Sequence, residues 1–373
     1  MKRNIFLLIG FIFSLSIFSQ ERKNLNVKDI QNKYQKTLKL ITIYNEKYYA
    51  DFTGDTSSIQ NDQYNFHFPK YDDSIPRPFR FLFETEKNNV YEVSDIFYIS
   101  KDTDGINFNS DNQKIVLGHN SDKDVTIYDT YMKSYLSEKK KLDSVKFNIY
   151  KSKNFKVDKV TVDSIQTFYT ALDKDEDSLL MGLSKKNPKS YIVFWRLVGK
   201  FEANGFKKKY LQAFDNLDSS VRTSSVGLIF SEELKKGSKI VEGNPFPEFI
   251  LKGQKVQTSL GKSYTIIDFW FSHCGPCIEQ MPKYREIYSK YKDKGFEIIN
   301  ISTDRTKDIG NWKKIIKEKE LNWVHYLDEN GEKSKYYNIN TFPTNFLLDS
   351  EGKIIQKDIS LQELDIFLNE HLK

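Results

Sequence analysis

The segment Ile266–Pro282, IIDFWFSHCGPCIEQMP, holds both cysteines of a 373-residue chain. Its first half is an apolar run interrupted by one acid, Asp268, and reads as a buried strand. From Cys277 onward the residues read as a helix. A strand ending just before Cys274 and a helix beginning there place the first thiol at a helix N-terminus, where unpaired N–H groups and the helix dipole favour the thiolate. The thiolate is the nucleophile, so Cys274 is the attacking group. Cys277, one turn further, faces the same side and can resolve a mixed disulfide by attacking Cys274. Gly275 and Pro276 suit the tight turn between them, with proline where a missing N–H does no harm. Two plainer readings of the pair are an inert local disulfide and half of a zinc site. Zinc wants four ligands. Apart from the adjacent His273 the histidines are scattered, at positions 67, 119, 325 and 371, so no metal is expected.

Outward from this segment, strand and helix patterns alternate: SYTIIDFWF, CIEQMPKYREIYSKYKDKG, FEIINIS, DIGNWKKIIKEKE, WVHYLD and EKSKYYNI. The alternation predicts an α/β domain over residues 240–373 with a largely parallel sheet. TNFLLD and KIIQKD form a hairpin around Ser350, Glu351 and Gly352. A final helix follows, with Ser360 and Glu363 spaced for a capping box. Glu242–Leu251, EGNPFPEFIL, marks the lead-in, with the boundary near Lys239. Residues 151–239 read as helical. In NPKSYIVFWRLVGKFEANG the apolar residues Tyr191, Phe194, Trp195 and Val198 recur at helical spacing, Pro188 suits a first turn and Gly205 a stop; the aromatic stripe is expected in the core. Residues 20–150 read as a β-rich domain of antiparallel strands: KLITIYNEKYYADF, QYNFHF, FRFLFETE, VYEVSDIFYIS and KDVTIYD.

Composition narrows the class. Hydrophobic residues make up 39% and aromatic residues 14%, which excludes disordered and collagen-like chains. The formal charge is +6, with lysines spread rather than massed, so no nucleic-acid partner is expected. Residues 1–19 combine Lys2 and Arg3 with an apolar run from Ile5 to Phe13 that continues to Phe18, the pattern of a cleavable secretory signal ending after Ser19. No cysteine follows that run to carry a lipid, and no later segment reaches spanning length. Contact with a membrane is therefore expected only through the signal peptide, and the expected location is the periplasm or cell envelope. Stable disulfides are permitted in such a compartment.

CGPC at Cys274–Cys277, with Pro282 five residues on, resembles the active-site signature of the thioredoxin superfamily. NTFPTNF resembles the second signature of that superfamily. The resemblance covers Glu242 to Lys373 and implies a thioredoxin fold, a central mixed sheet flanked by helices. It implies that Pro343 is cis beside the dithiol and that Phe342, with Pro276, presents backbone to a bound peptide. It also implies that Asp268 is the buried acid beneath the pair, raised in pKa by desolvation and able to exchange a proton with Cys277. One extra helix and strand between Cys277 and Pro343, with the NPFPEF lead-in and the signal peptide, resemble the extracytoplasmic (TlpA-like) branch related to cytochrome-c-maturation thioredoxins. The chain departs from the pattern at His273, where Trp is common, and at Asp268, where the branch often has Asn. His273 is a candidate modulator that stabilises the thiolate when protonated.

The expected activity is dithiol exchange that reduces disulfides of envelope proteins. The redox group is the Cys274–Cys277 disulfide itself, with no other cofactor. The resemblance implies a membrane thiol carrier as electron donor. Two other readings stay open: a peroxiredoxin-like antioxidant, though SHCGPC lacks the Thr and Pro pattern around a lone peroxidatic cysteine, and a partner-binding protein whose redoxin domain is structural.

Overall fold

The computed structural model describes residues 22–29, 37–61, 63–71, 75–84, 91–103, 105–109, 114–117, 123–154 and 156–372. The expected signal peptide, residues 1–19, lies outside the described residues. Those before residue 120 form one compact unit and those after it a second.

The first unit is β-rich. One sheet orders the strands Tyr64–Pro69, Arg22–Asp29, Gly105–Asn109 and Lys114–Leu117; the other is built around Arg77–Glu84. Phe66 of the first sheet stacks on Phe81 of the second at 5.7 Å, and Phe81 meets Phe97 at 4.6 Å. Two expectations are corrected here. The strands are not all antiparallel, because Arg22–Asp29 pairs parallel with Gly105–Asn109. The whole second sheet intervenes in sequence between them, and so long a connection permits parallel pairing. KDVTIYD is not a strand but the start of the helix Lys123–Ser152, so the β-rich region ends before residue 123 rather than at 150. Its short β-branched run is outweighed by a helical stripe, Tyr128, Met132 and Tyr135, all buried, which extends past the run.

In the second unit the helices Lys159–Lys186, Tyr191–Asn204, Lys208–Asp215 and Ser225–Gly237 pack with the C-terminal α/β part. Asn338 donates to the Phe201 carbonyl at 3.1 Å, tying the two segments together. Pro188 is not in a first turn: Ser190 caps the helix by accepting from the Val193 N–H at 3.2 Å. Phe194 and Trp195 are fully buried. Beneath them, Lys200 is buried among Asp173, Glu176 and Asp177, with Nζ 3.1 Å from Glu176 and 2.9 Å from Asp177. Arg196 also pairs with Glu176, Lys207 with Asp173 at 3.5 Å and Lys209 with Asp177 at 2.5 Å, so removing Lys200 leaves each acid a cation but takes away the buried one that joins all three. Lys200→Met is therefore expected to cost about 1.5–3 kcal/mol of unfolding free energy in a urea titration, and a loss below about 0.5 kcal/mol would contradict a structural role for the buried ammonium.

The C-terminal part has a five-stranded mixed sheet. Its strands are β1 (Tyr264–Trp270), β2 (Phe296–Ser302), β3 (Val324–Leu327), β4 (Thr344–Asp349) and β5 (Ile354–Lys357), in the order β3-β2-β1-β4-β5. β1, β2 and β3 run parallel, while β4 and β5 add antiparallel, so the sheet is less parallel than the alternation alone suggested. Every residue of β1 after Tyr264 is buried, as befits a central strand covered on both faces. One face, with Ile267, Phe269, Ile299 and Phe346, packs on Phe246 and Phe249 of the lead-in. The other, with Ile266, Ile298 and Leu347, is covered by α1 (Gly275–Tyr291) and by α4 (Leu361–His371), whose Ser360 and Glu363 form the capping box. Between β2 and β3 lies α2 (Ile309–Glu318), and between β3 and β4 the short α3 (Glu332–Tyr336).

Candidate functional site

Cys274 is the N-cap of α1, and its Sγ accepts from the Cys277 N–H at 3.3 Å. Cys277 opens the buried stripe of the helix, followed by Met281, Tyr284, Ile287 and Tyr291. The two sulfurs are joined as a disulfide, and both cysteines are buried against Trp270, Met281 and Ile315. Pro276 lies in the first turn of α1, exposed together with Gly275, and Pro282 lies inside the helix. The turn before the pair is fixed from below. Asp304, buried after β2, accepts from the Ser272 N–H at 3.0 Å and from the Ser272 and Ser302 hydroxyls at 2.6 Å each.

Side chains alternate along a strand, so Asp268 shares its face with Ile266 and lies under α1. The register sets Asp268 opposite Asn300 on β2 and Asn345 on β4. Burial pushes its carboxyl up to about 8, with the Tyr284 hydroxyl and the Asn300 amide pulling the other way. Asn300 Nδ2 donates to Asp268 Oδ2 at 2.7 Å, whereas Oδ1 has no hydrogen-bond partner. The Trp323 indole N–H donates to Asn300 Oδ1. An indole nitrogen can only donate, so this bond fixes the amide the right way round, with its NH₂ toward the acid. Trp323 also packs against the cluster containing both cysteines. A buried acid under the helix that carries the pair can hold or release a proton there.

The Phe342–Pro343 peptide bond is cis. Phe342 meets Phe271 edge to face at 5.5 Å, beside the pair. His273 is exposed and its Nε2 lies 3.2 Å from Asp308 Oδ1, so its ring is turned toward the loop after β2. Cys274, Cys277, Asp268, Pro276, Phe342, Pro343 and His273, all named from sequence, thus lie on β1, the start of α1 and the turn before β4. Sequence reasoning missed Asn300, Trp323 and Asp304. Asn300 carried a signal, a lone amide inside the apolar run FEIINIS; Trp323 and Asp304 carried none that separates them from ordinary core and loop residues. Among the described residues no three His, Cys, Asp or Glu side chains converge as a metal site, and no helix is long and apolar enough to cross a membrane.

Residues 241–363 match the family model described as Redoxin. The chain is 34% identical over 158 residues to the thiol-disulfide oxidoreductase ResA of Bacillus cereus, covering 41% of this chain and 90% of that protein. It is 37% identical over 142 residues to the protein of the same name from Bacillus thuringiensis, covering 37% of this chain and 80% of the relative. Among solved structures, the thioredoxin domain of a thiol-disulfide oxidoreductase from Bacteroides vulgatus is 30% identical, with 36% of this chain and 99% of that one covered and a TM-score of 0.33. A relative aligned over nine-tenths of its length, and a disulfide seated where a strand meets a helix above a buried acid, agree on what the C-terminal part is: the chain belongs to the redoxin family of the thioredoxin superfamily and is a thiol-disulfide oxidoreductase.

Proposed function

We propose that the protein works outside the cytoplasm as a reductant, transferring two electrons from its dithiol to disulfides of envelope proteins. The observation that carries the reading is the placement of Cys274 at the N-cap of α1 with Cys277 one turn on, above Asp268. In the reduced protein the Cys274 thiolate attacks one sulfur of a client disulfide. A Cys274–client S–S bond forms, the client bond breaks, and the departing client sulfur leaves as a thiolate that takes up a proton. Asp268, in the molecules in which it is ionised, then accepts the Cys277 proton and the Cys277 thiolate attacks Cys274 Sγ. The second client sulfur leaves, and the Cys274–Cys277 disulfide is closed. The client is reduced by two electrons and the protein oxidised by two, so a further dithiol must recharge it; a membrane thiol carrier is the proposed donor. Pro276, Phe342 and Pro343 bound the surface on which the client would lie. The basic and then apolar pattern of residues 1–19 supports export.

Compartment and direction are tested together by alkylating intact cells with a membrane-impermeant thiol reagent. The pair is expected to be labelled in the wild type without lysis, because an exported reductant is held in its dithiol form, and to go unlabelled in a Cys274→Ser, Cys277→Ser chain. A pair that stays oxidised under all growth conditions, or that reacts only after lysis, would overturn the proposal.

A further inference from the structure

Beside the disulfide lies a cleft of about 540 Å³, within the ~300–1,000 Å³ range of ligand clefts. Its near wall is apolar, formed by Phe271 and Phe342. Its other side carries charge: Arg305 and Lys307 from the loop after β2, and Lys335 from α3, all exposed. The two carboxylates on the wall are already engaged. Asp304 is buried with its oxygens held by Ser272 and Ser302, and Asp308 faces His273. The Arg305, Lys307 and Lys335 side chains, by contrast, have no ion-pair or hydrogen-bond partner among the described residues. The cleft thus carries three cations against two carboxylates, and its unpartnered charged side chains are the cations. The cleft also reaches His273, the residue before Cys274, and Phe342, the residue before the cis proline. The cleft begins one residue from Cys274, so residues flanking a client disulfide can lie along this wall.

We propose that the cleft recognises an acidic stretch of the client next to its disulfide, with client carboxylates meeting Arg305, Lys307 and Lys335 and an intervening apolar side chain meeting Phe271 and Phe342. The inference rests on the exchange reading above and adds to it a class of substrate. Partly exposed charge pairs of this kind act mainly on encounter and selectivity, and they are screened by salt.

The test uses the full chain, recharged by dithiothreitol, and two synthetic disulfide peptides identical except that the flank carries either aspartate and glutamate or lysine. At about 20 mM salt the acidic peptide is expected to be reduced about tenfold faster by kcat/KM, and at about 300 mM salt the advantage is expected to shrink to about twofold. In an Arg305→Glu, Lys307→Glu, Lys335→Glu chain the preference is expected to reverse toward the lysine peptide. Equal rates on both peptides, a wild-type preference for lysine, or a preference that survives charge reversal would each overturn the cleft proposal while leaving the exchange reading intact. If neither peptide is reduced, the exchange reading falls and the cleft with it. The salt comparison needs no variant, so a folding defect in the triple variant cannot rescue the idea.

Discussion

A Cys274→Ser chain is expected to lose insulin reduction completely, falling to the rate of the recharging dithiol alone, whereas a Cys277→Ser chain is expected to accumulate mixed disulfides that it cannot release. The asymmetry follows from position. Only Cys274 caps α1, where the first-turn N–H groups and the dipole stabilise a thiolate. Cys277 begins the buried stripe, one turn inside the helix, and its sulfur is bonded to that of Cys274. Removing the attacking thiol leaves one that lacks the N-cap position; removing the resolving thiol leaves the attack intact and blocks the exit. Non-reducing gels of cells expressing the Cys277→Ser chain should show adducts that disappear with dithiothreitol and are missing from a Cys274→Ser, Cys277→Ser chain. Full insulin reduction by Cys274→Ser, or the same adducts formed through Cys277 alone, would reverse the assignment of the two sulfurs. The adducts also identify clients, and the acidity of the residues beside their trapped cysteines bears directly on the proposed cleft.

The second large effect belongs to Asp268, whose replacement by asparagine is expected to stabilise the fold and slow the enzyme. Burial holds the folded carboxyl near 8, against an ordinary value of 3.8. Below about pH 4 the group is protonated whether the chain is folded or not, so wild type and Asp268→Asn should differ little. Between about pH 4 and 8 the unfolded chain ionises while the folded chain keeps its proton, and wild-type stability falls relative to the variant as pH rises. Above about pH 8 both states are ionised and the folded state bears the full cost of a buried charge. On the order of 6 kcal/mol should separate the two proteins in urea titrations near pH 9, with almost none near pH 4. In the same variant the proposed proton acceptor for Cys277 is gone. Only the ionised minority of Asp268 can accept the Cys277 proton near pH 7, so insulin reduction is expected to fall about tenfold there, and the rise of the wild-type rate through pH 8 should vanish. A difference in stability that does not change with pH would mean the carboxyl is not held in its neutral form. An unchanged rate profile would remove it from the chemistry.

The stability and the rate pull in opposite directions at this one residue because the acid sits where burial makes its charge costly. An ordinary core position would hold an apolar side chain there, and Ile266 and Ile298 on the same face show what that looks like. Asn300 moderates the conflict by donating to Oδ2, and Trp323 keeps the amide from turning its oxygen toward the acid.

Much of this was legible in the chain. The apolar run before Cys274 and the helical stripe after it are local patterns, and a strand meeting a helix at a thiol is enough to place the attacking sulfur at an N-cap. Asp268 announced itself by being charged inside TIIDFWF, and Ser360 with Glu363 fixed the start of the last helix. KDVTIYD misled for the complementary reason: seven residues with β-branched side chains fit a strand, and only the packing of Tyr128, Met132 and Tyr135 in one stripe makes them helix.

The cysteine pair, its seat at a helix start and the α/β pattern around it are written locally in the chain, because each depends on residues within a turn or a strand of one another. The tertiary structure decided what lies around the pair. Asn300 and Asn345 reach Asp268 only through strand register, from 32 and 77 positions away, and Trp323 joins through a further strand's lead-in. Arg305, Lys307 and Lys335 share one cleft only because the loop after β2 and α3 come together beside the cis proline. Such convergence is set by sheet order and side-chain packing, which no local pattern of apolar and polar residues encodes.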